Sequence, residues 1–133
     1  MLIERFFTKP NIQVFGSDIS KEAIAKAREN LSNAKIKSNL KVSDIARLNQ
    51  PCDEIISNLP YGLRVGSHSA NAKIYTDLIR FCCKNLTDNG FAFLYTADKK
   101  LLRDLIKKST LKLEQELNFI SGGLYCSLFI VKK

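Results

Sequence analysis

Apolar positions along this chain alternate between a helical period and a strand period, and each change of period marks a new element. Leu2, Ile3, Phe6 and Phe7 recur at helical spacing until Pro10, which predicts a short helix at the start. Residues 12–18 then read as a strand that ends in an acid, Asp18. Ser20 is a suitable N-cap for the helix that follows, Glu22 favours its first turn, and Ile24, Ala27 and Leu31 form its inward stripe, with Asn33 near its end. Residues 40–43 alternate as a strand closed by Asp44. The β-branched pair Ile55-Ile56 predicts a buried strand, broken by Asn58-Leu59-Pro60-Tyr61-Gly62, where Pro60 and Gly62 forbid regular structure. Residues 63–72 are a polar loop rich in Gly and Ser. Ile74, Leu78, Phe81, Cys82, Asn85 and Leu86 mark a long helix stopped by Asp88-Asn89-Gly90. An apolar strand at 91–96 precedes a helix opened by Asp98, with Leu101, Leu102, Leu105 and Ile106 inside and Lys107-Lys108 at its end. Finally, 111–120 and 124–131 flank Ser121-Gly122-Gly123, the pattern of an antiparallel hairpin.

Strand and helix alternate and the chain closes with a hairpin. That order predicts an α/β fold: a mostly parallel, Rossmann-like sheet with an antiparallel C-terminal edge. In such sheets ligands bind at the carboxyl ends of the strands. The acids and the Pro turn all fall there.

Composition narrows the class. With 133 residues, 45% of them hydrophobic, the chain suffices for one globular domain with a modest core. No apolar run approaches the ~18 residues of a membrane span, and Met1-Leu2-Ile3-Glu4-Arg5 does not resemble a signal peptide, so the expected setting is the cytoplasm. A net charge of +8 favours a polyanionic partner such as RNA, although a Lys-rich surface can also be merely well solvated. The four cysteines, Cys52, Cys82, Cys83 and Cys126, form no C-x-x-C pair, and His68 is the one histidine, so no metal site is expected. Cys82, Cys83 and Cys126 read as small buried hydrophobes in a reducing compartment.

The turn after the Ile pair suits one kind of chemistry. The Asn58 side-chain oxygen and the Leu59 carbonyl can both accept hydrogen bonds from a single exocyclic amine. Pro60 has no N–H and a fixed φ, which holds that carbonyl in one direction. Tyr61 offers a face on which a base can stack. The plainer alternative is a strand ending in an Asn-x-Pro turn, with Tyr61 as a lid on the core. Asp18 has two readings as well: an acceptor for both hydroxyls of a ribose, or an acid that complements a helix dipole. Arg64, in the loop, is placed to contact a phosphate. His68 reads as an exposed loop residue rather than a base.

Asn58-Leu59-Pro60-Tyr61 resembles the (Asn/Asp)-x-Pro-(Tyr/Phe) motif of the S-adenosylmethionine-dependent amino-methyltransferases. The longer string over 55–66, Ile-Ile-Ser-Asn-Leu-Pro-Tyr-Gly-Leu-Arg-Val-Gly, is similar to the tRNA guanine-N2 methyltransferases that often carry a THUMP domain upstream. The resemblance implies a class I methyltransferase fold, S-adenosylmethionine as cofactor, and RNA, above all tRNA, as partner. It makes Asn58, Leu59, Pro60 and Tyr61 the catalytic turn, with Tyr61 and Arg64 on the substrate. It places Asp18 on the ribose, Ile19 against the adenine ring and Asp44-Ile45 at the adenine amino group, with Asn58 bordering the cofactor. Leu59 departs from the general motif, where Pro is usual; the carbonyl is kept and the turn loosened. Two alternatives stay open: an adenine-N6 nucleic-acid methyltransferase, and a non-catalytic RNA-binding or assembly module.

One motif of that family is missing. No G-x-G stands before Asp18, whereas the family holds the methionine part of the cofactor on a Gly-rich loop. The opening Met1-Leu2-Ile3-Glu4 resembles the Leu-Ile-Glu that commonly follows that loop. The resemblance therefore implies that 1–133 is a single but partial catalytic domain, without the strand between those ending at Asp18 and Asn58. It implies weak cofactor binding, or none, by this chain alone. The two strands should then close on each other, or pair with a second copy or with an N-terminal half that carries the loop.

Overall fold

The computed structural model describes residues 2–60 and 68–133, and side chains except those of 68–70. The element order is α1 (Leu2–Thr8), β1 (Phe15–Asp18), α2 (Lys21–Asn33), β2 (Asn39–Val42), a 3₁₀ turn (Ile45–Arg47), β3 (Cys52–Asn58), α3 (His68–Asn85), β4 (Leu86–Thr96), α4 (Lys99–Lys107), β5 (Lys112–Ser121) and β6 (Leu124–Lys132). These divide into two compact units, Met1–Leu48 and Asn49–Lys133.

In the first unit β1 and β2 pair in parallel, with Phe15 opposite Asn39 and Asp18 opposite Val42. The core is the stripe predicted for α2: Ile24 and Leu31 are buried with Ile36 and Leu40, and Leu2, Ile3 and Phe6 of α1 pack on them. Ser20 caps α2 as expected, its hydroxyl accepting the Ala23 N–H at 3.1 Å. Gly16 packs closely against the core: a Cβ there would lie 2.7 Å from Leu40 Cδ2 and 3.1 Å from Leu2 Cδ1, so the ends of those two side chains would have to shift.

The second unit is a four-stranded sheet in the order β3-β4-β6-β5. β3 and β4 run parallel, with Asn58 opposite Tyr95, whereas β6 is antiparallel to both β4 and β5. This is the predicted parallel sheet with a hairpin edge. Gly122 and Gly123, at φ of 56° and 79°, make the two-residue turn, whose positive-φ backbone matches the right-handed twist of the flanking strands. One face of the sheet is sealed: Ala92, Leu94 and Thr96 of β4 and Ser127, Phe129 and Val131 of β6 are buried, along with Tyr75, Leu78 and Cys82 of α3 and Leu102 and Ile106 of α4. Arg103 of α4 ties this face to β5 through two bonds to Glu116, at 2.8 and 3.2 Å.

The structure departs from the sequence reading in three places. α3 begins at His68, so 68–72 are helical rather than loop; Ser69, Ala70, Asn71 and Ala72 bring no Gly or Pro to prevent a first turn. Asp88-Asn89-Gly90 do not lie between elements but inside β4, where the register jumps from Cys52 opposite Leu86 to Glu54 opposite Phe91. That irregularity absorbs the turn-forming residues without ending the strand. Finally, Ile56 is 42% exposed while Ile55 is buried. β3 is a sheet-edge strand whose side chains alternate between a covered and an open face, so the pair splits.

Candidate active site

Two sets of predicted residues lie at the carboxyl ends of parallel strands, one set in each unit. In the first unit Asp18 ends β1, and Asp44 follows β2 by two residues. The Ser43 N–H donates to the Asp18 carbonyl at 2.9 Å, which continues the ladder past the strand and brings both acids to one sheet edge. Each acid is anchored through one carboxylate oxygen. Asp18 Oδ1 accepts the Ser20 N–H at 2.8 Å and Asp44 Oδ1 accepts the Ala46 N–H at 2.9 Å. Among the described residues their Oδ2 atoms take no donor, and both side chains are exposed. Ile19, beside them, is 74% exposed, and Ile45 is half-buried. Two oriented carboxylates next to an open apolar side chain fit an adenosine: hydroxyls and an amine as donors, and a purine face for the Ile. The residues therefore fit the adenosine part of S-adenosylmethionine.

In the second unit Asn58 is the last residue of β3, and the turn beyond it is held from both sides. The Leu59 N–H donates to the Tyr95 carbonyl at 2.9 Å, extending the β3–β4 ladder, and the Leu59 side chain is only 2% exposed. The Pro60 carbonyl accepts the Tyr75 hydroxyl at 2.9 Å. That hydroxyl also bonds to Thr96 Oγ1, and Oγ1 in turn accepts the Asp98 N–H at 2.8 Å. The proton directions follow from these partners. Tyr75 has one proton and gives it to Pro60, so Thr96 must donate to Tyr75. Tyr75 and Thr96 are both 0% exposed, so the chain of bonds runs in a medium that strengthens each of them.

Between those anchors two acceptors are left open. The Asn58 side chain is exposed, and among the described residues neither it nor the Leu59 carbonyl has a hydrogen-bonding partner. Loosening from Leu59 in place of Pro is countered here, because the Leu side chain is buried and its N–H is used. Tyr61 and Arg64 lie outside the described residues, as does the His68 side chain. Tyr75 and Thr96 were not among the sequence-predicted site residues. The available signal was a Tyr inside an apolar helical stripe, whose hydroxyl needs a partner once buried. Among the described residues no group of His, Cys, Asp and Glu is arranged to hold a metal ion, and no helix is long and apolar enough to cross a membrane.

Acids at the carboxyl ends of the parallel strands of one unit, and an Asn-x-Pro turn at the end of a parallel strand in the other, beside an antiparallel C-terminal hairpin, are the marks of the class of S-adenosylmethionine-dependent methyltransferases. Over residues 3–127 the chain matches the family described as RMKL-like, methyltransferase domain, and it belongs to that family. It is 26% identical over 122 residues to a tRNA (guanine(6)-N2)-methyltransferase of Methanocaldococcus jannaschii, a match covering 88% of this chain and 32% of that protein. It is 29% identical over 127 residues to a ribosomal RNA large subunit methyltransferase K/L of Shewanella frigidimarina, covering 92% of this chain and 17% of that one. Its fold is that of the crystal structure of TrmN from Thermus thermophilus, with a TM-score of 0.85 at 22% identity, covering 98% of this chain and 40% of that chain. The chain thus spans about a third or less of these curated relatives.

Proposed function

We propose that this chain supplies the catalytic turn of a methyltransferase acting on a base amine in RNA, with guanine N2 of tRNA as the target. The observation that carries the reading is the pair of acceptors left open among the described residues, the Asn58 side chain and the Leu59 carbonyl, between the anchored Leu59 N–H and Pro60 carbonyl. The match to an enzyme named for guanine N2 of tRNA supports the choice of base. The family match runs through both units, which supports treating 1–133 as one partial catalytic domain. A net charge of +8 suits an RNA partner, and an RNA-modifying role puts the protein in the cytoplasm.

The chain's own residues set the chemistry. A guanine amine has its lone pair conjugated into the ring and is a poor nucleophile. Asn58 Oδ1 and the Leu59 carbonyl accept hydrogen bonds from its two N–H groups, which favours a tetrahedral nitrogen and directs the lone pair away from the ring plane; the one proton released on methylation passes to solvent. Tyr61 stacks on the base once it is turned out of its helix, and Arg64 holds a neighbouring phosphate. Asp18 binds the ribose hydroxyls of the cofactor, Ile19 and Ile45 flank its adenine, Asp44 takes the adenine amino group, and Asn58 borders it. S-adenosylmethionine, when bound, supplies an electrophilic methyl on a sulfonium. Most of the acceleration assigned to the protein is orientation, which accounts for up to ~7–11 kcal/mol in favourable cases.

The test is methyl incorporation by the protein purified from its source cells, so that any partner comes with it. Unmodified tRNA and ribosomal RNA are offered with labelled S-adenosylmethionine, then digested to nucleosides. N2-methylguanosine in tRNA is the expected product. N6-methyladenosine, or no label in either RNA, overturns the reading, and label confined to ribosomal RNA moves the target to that molecule.

A further inference from the structure

We infer that Tyr75 is the positioning residue of the Asn58–Pro60 turn, acting through the Pro60 carbonyl, with Thr96 as the residue that fixes the direction of its proton. The inference rests on the reading of Asn58 and Leu59 as the amine-binding pair.

The Leu59 carbonyl lies in the peptide plane between ψ of Leu59 and φ of Pro60, so it points where the two ends of that plane are held. The pyrrolidine ring fixes φ of Pro60, so the plane moves with the proline. The ladder bond from the Leu59 N–H to Tyr95 at 2.9 Å holds the near end. Among the described residues the donor that holds the proline end is Tyr75, on the Pro60 carbonyl at 2.9 Å. A Tyr hydroxyl rotates, so by itself it is a loose anchor. Here rotation is removed, because the Tyr75 oxygen accepts from Thr96 and can point its proton only away from that donor. Thr96 is fixed in the same way by the Asp98 N–H at 2.8 Å. Asp98 is itself the N-cap of α4, its carboxylate accepting the Leu101 N–H at 3.3 Å. The turn that presents the acceptors is thus referenced to a helix start and a strand end, with every proton in one direction. A purely structural Tyr needs one partner to satisfy its burial. Among the described residues Tyr75 bonds to both Pro60 and Thr96, and the bond from Thr96 serves to aim the bond to Pro60.

The experiment compares Tyr75→Phe, which removes only the hydroxyl, with Thr96→Val and with Leu78→Ala. Leu78 is buried in α3 and its apolar side chain cannot hydrogen-bond, so its variant reports general destabilisation. Three quantities are read in the full chain: amide hydrogen exchange at Leu59 relative to Ile55, the thermal midpoint, and kcat against KM for RNA methylation. Tyr75→Phe is expected to speed exchange at Leu59 relative to Ile55 and to lower kcat by roughly tenfold to a hundredfold. KM for RNA should stay within about twofold, since no binding contact is lost. Thr96→Val should move both readouts in the same direction by less. Leu78→Ala should lower the thermal midpoint without changing the Leu59-to-Ile55 ratio. If Tyr75→Phe speeds exchange at Leu59 and Ile55 equally, or leaves kcat unchanged in an active protein, Tyr75 is structural and the inference fails. Absence of RNA methylation by the unaltered protein sinks the proposed function instead; the exchange ratio then decides alone whether Tyr75 holds the turn.

Discussion

Asn58 ends a strand, with its backbone committed to the β3–β4 ladder and its side chain left in the open. An Asn needed only for its backbone would be replaceable at little cost; one that accepts an amine would not. Asn58→Ala is therefore expected to lower methyl transfer by at least about a hundredfold, the scale found for loss of one oriented polar group at a reacting centre. Cofactor affinity, read by calorimetry, should be nearly unchanged, because the proposed adenosine contacts are those of Asp18 and Asp44. Affinity falling in step with turnover would make Asn58 a structural or cofactor residue. This site could be read from sequence because its signals are local: an amide, a Pro and a Gly within five residues. Tyr75 and Thr96 could not. The bonds that matter join residues 15 and 21 positions apart, and only the packing of α3 on β4 brings them together.

At the scale of elements, periodicity anticipated the α-helices and strands of the described residues but not the 3₁₀ turn at Ile45–Arg47, and it misjudged boundaries where backbone pairing outweighed residue type. The hairpin was plain because Gly-Gly at positive φ demands a turn. The start of β4 was hidden, since its Asp-Asn-Gly residues sit in a strand irregularity. Packing of α3 on the sheet has a titratable consequence. Burial, with Cys83 and Cys52 nearby adding to it, pushes the Cys82 thiol from 9.0 up to about 12. The unfolded thiol ionises first, so the unfolded chain binds fewer protons than the folded one between those values. Stability from this group is complete below pH 9.0 and is lost as pH rises toward about 12. Denaturant midpoints measured across that range should fall with pH. They should fall less steeply for Cys82→Ala, whose lower starting stability reflects the cavity left behind. Equal slopes for the two proteins would show that other groups dominate alkaline unfolding.

On the proposed reading one unit carries the residues for the cofactor's adenosine, Asp18 and Asp44, and the other carries the turn for the amine, Asn58 and Leu59. On that reading Asp18, Ile19, Asp44 and Ile45 meet the adenosine end of the cofactor, and no Gly-rich motif within 1–133 precedes Asp18 to meet its methionine end. Calorimetry on this chain should detect weak binding of S-adenosylmethionine or none; micromolar affinity would show that the acids and their neighbours suffice. A second consequence comes from strand pairing. β1 and β3 belong to different sheets, so β3 ends its sheet with one edge outside any ladder among the described residues. An edge strand with apolar side chains on its open face is a template for another chain. β3 presents Ile56 at 42% exposure, and Phe91 and Leu117 are also exposed within the same sheet. The chain is expected to self-associate, with a mass by light scattering that rises with concentration during size exclusion. Ile56→Lys should suppress the rise by placing a charge on that edge, while leaving the fold intact because the side chain lies outside the core. A monomer at all concentrations would show that the β3 edge is already protected. Association undiminished in Ile56→Lys would place the contact elsewhere.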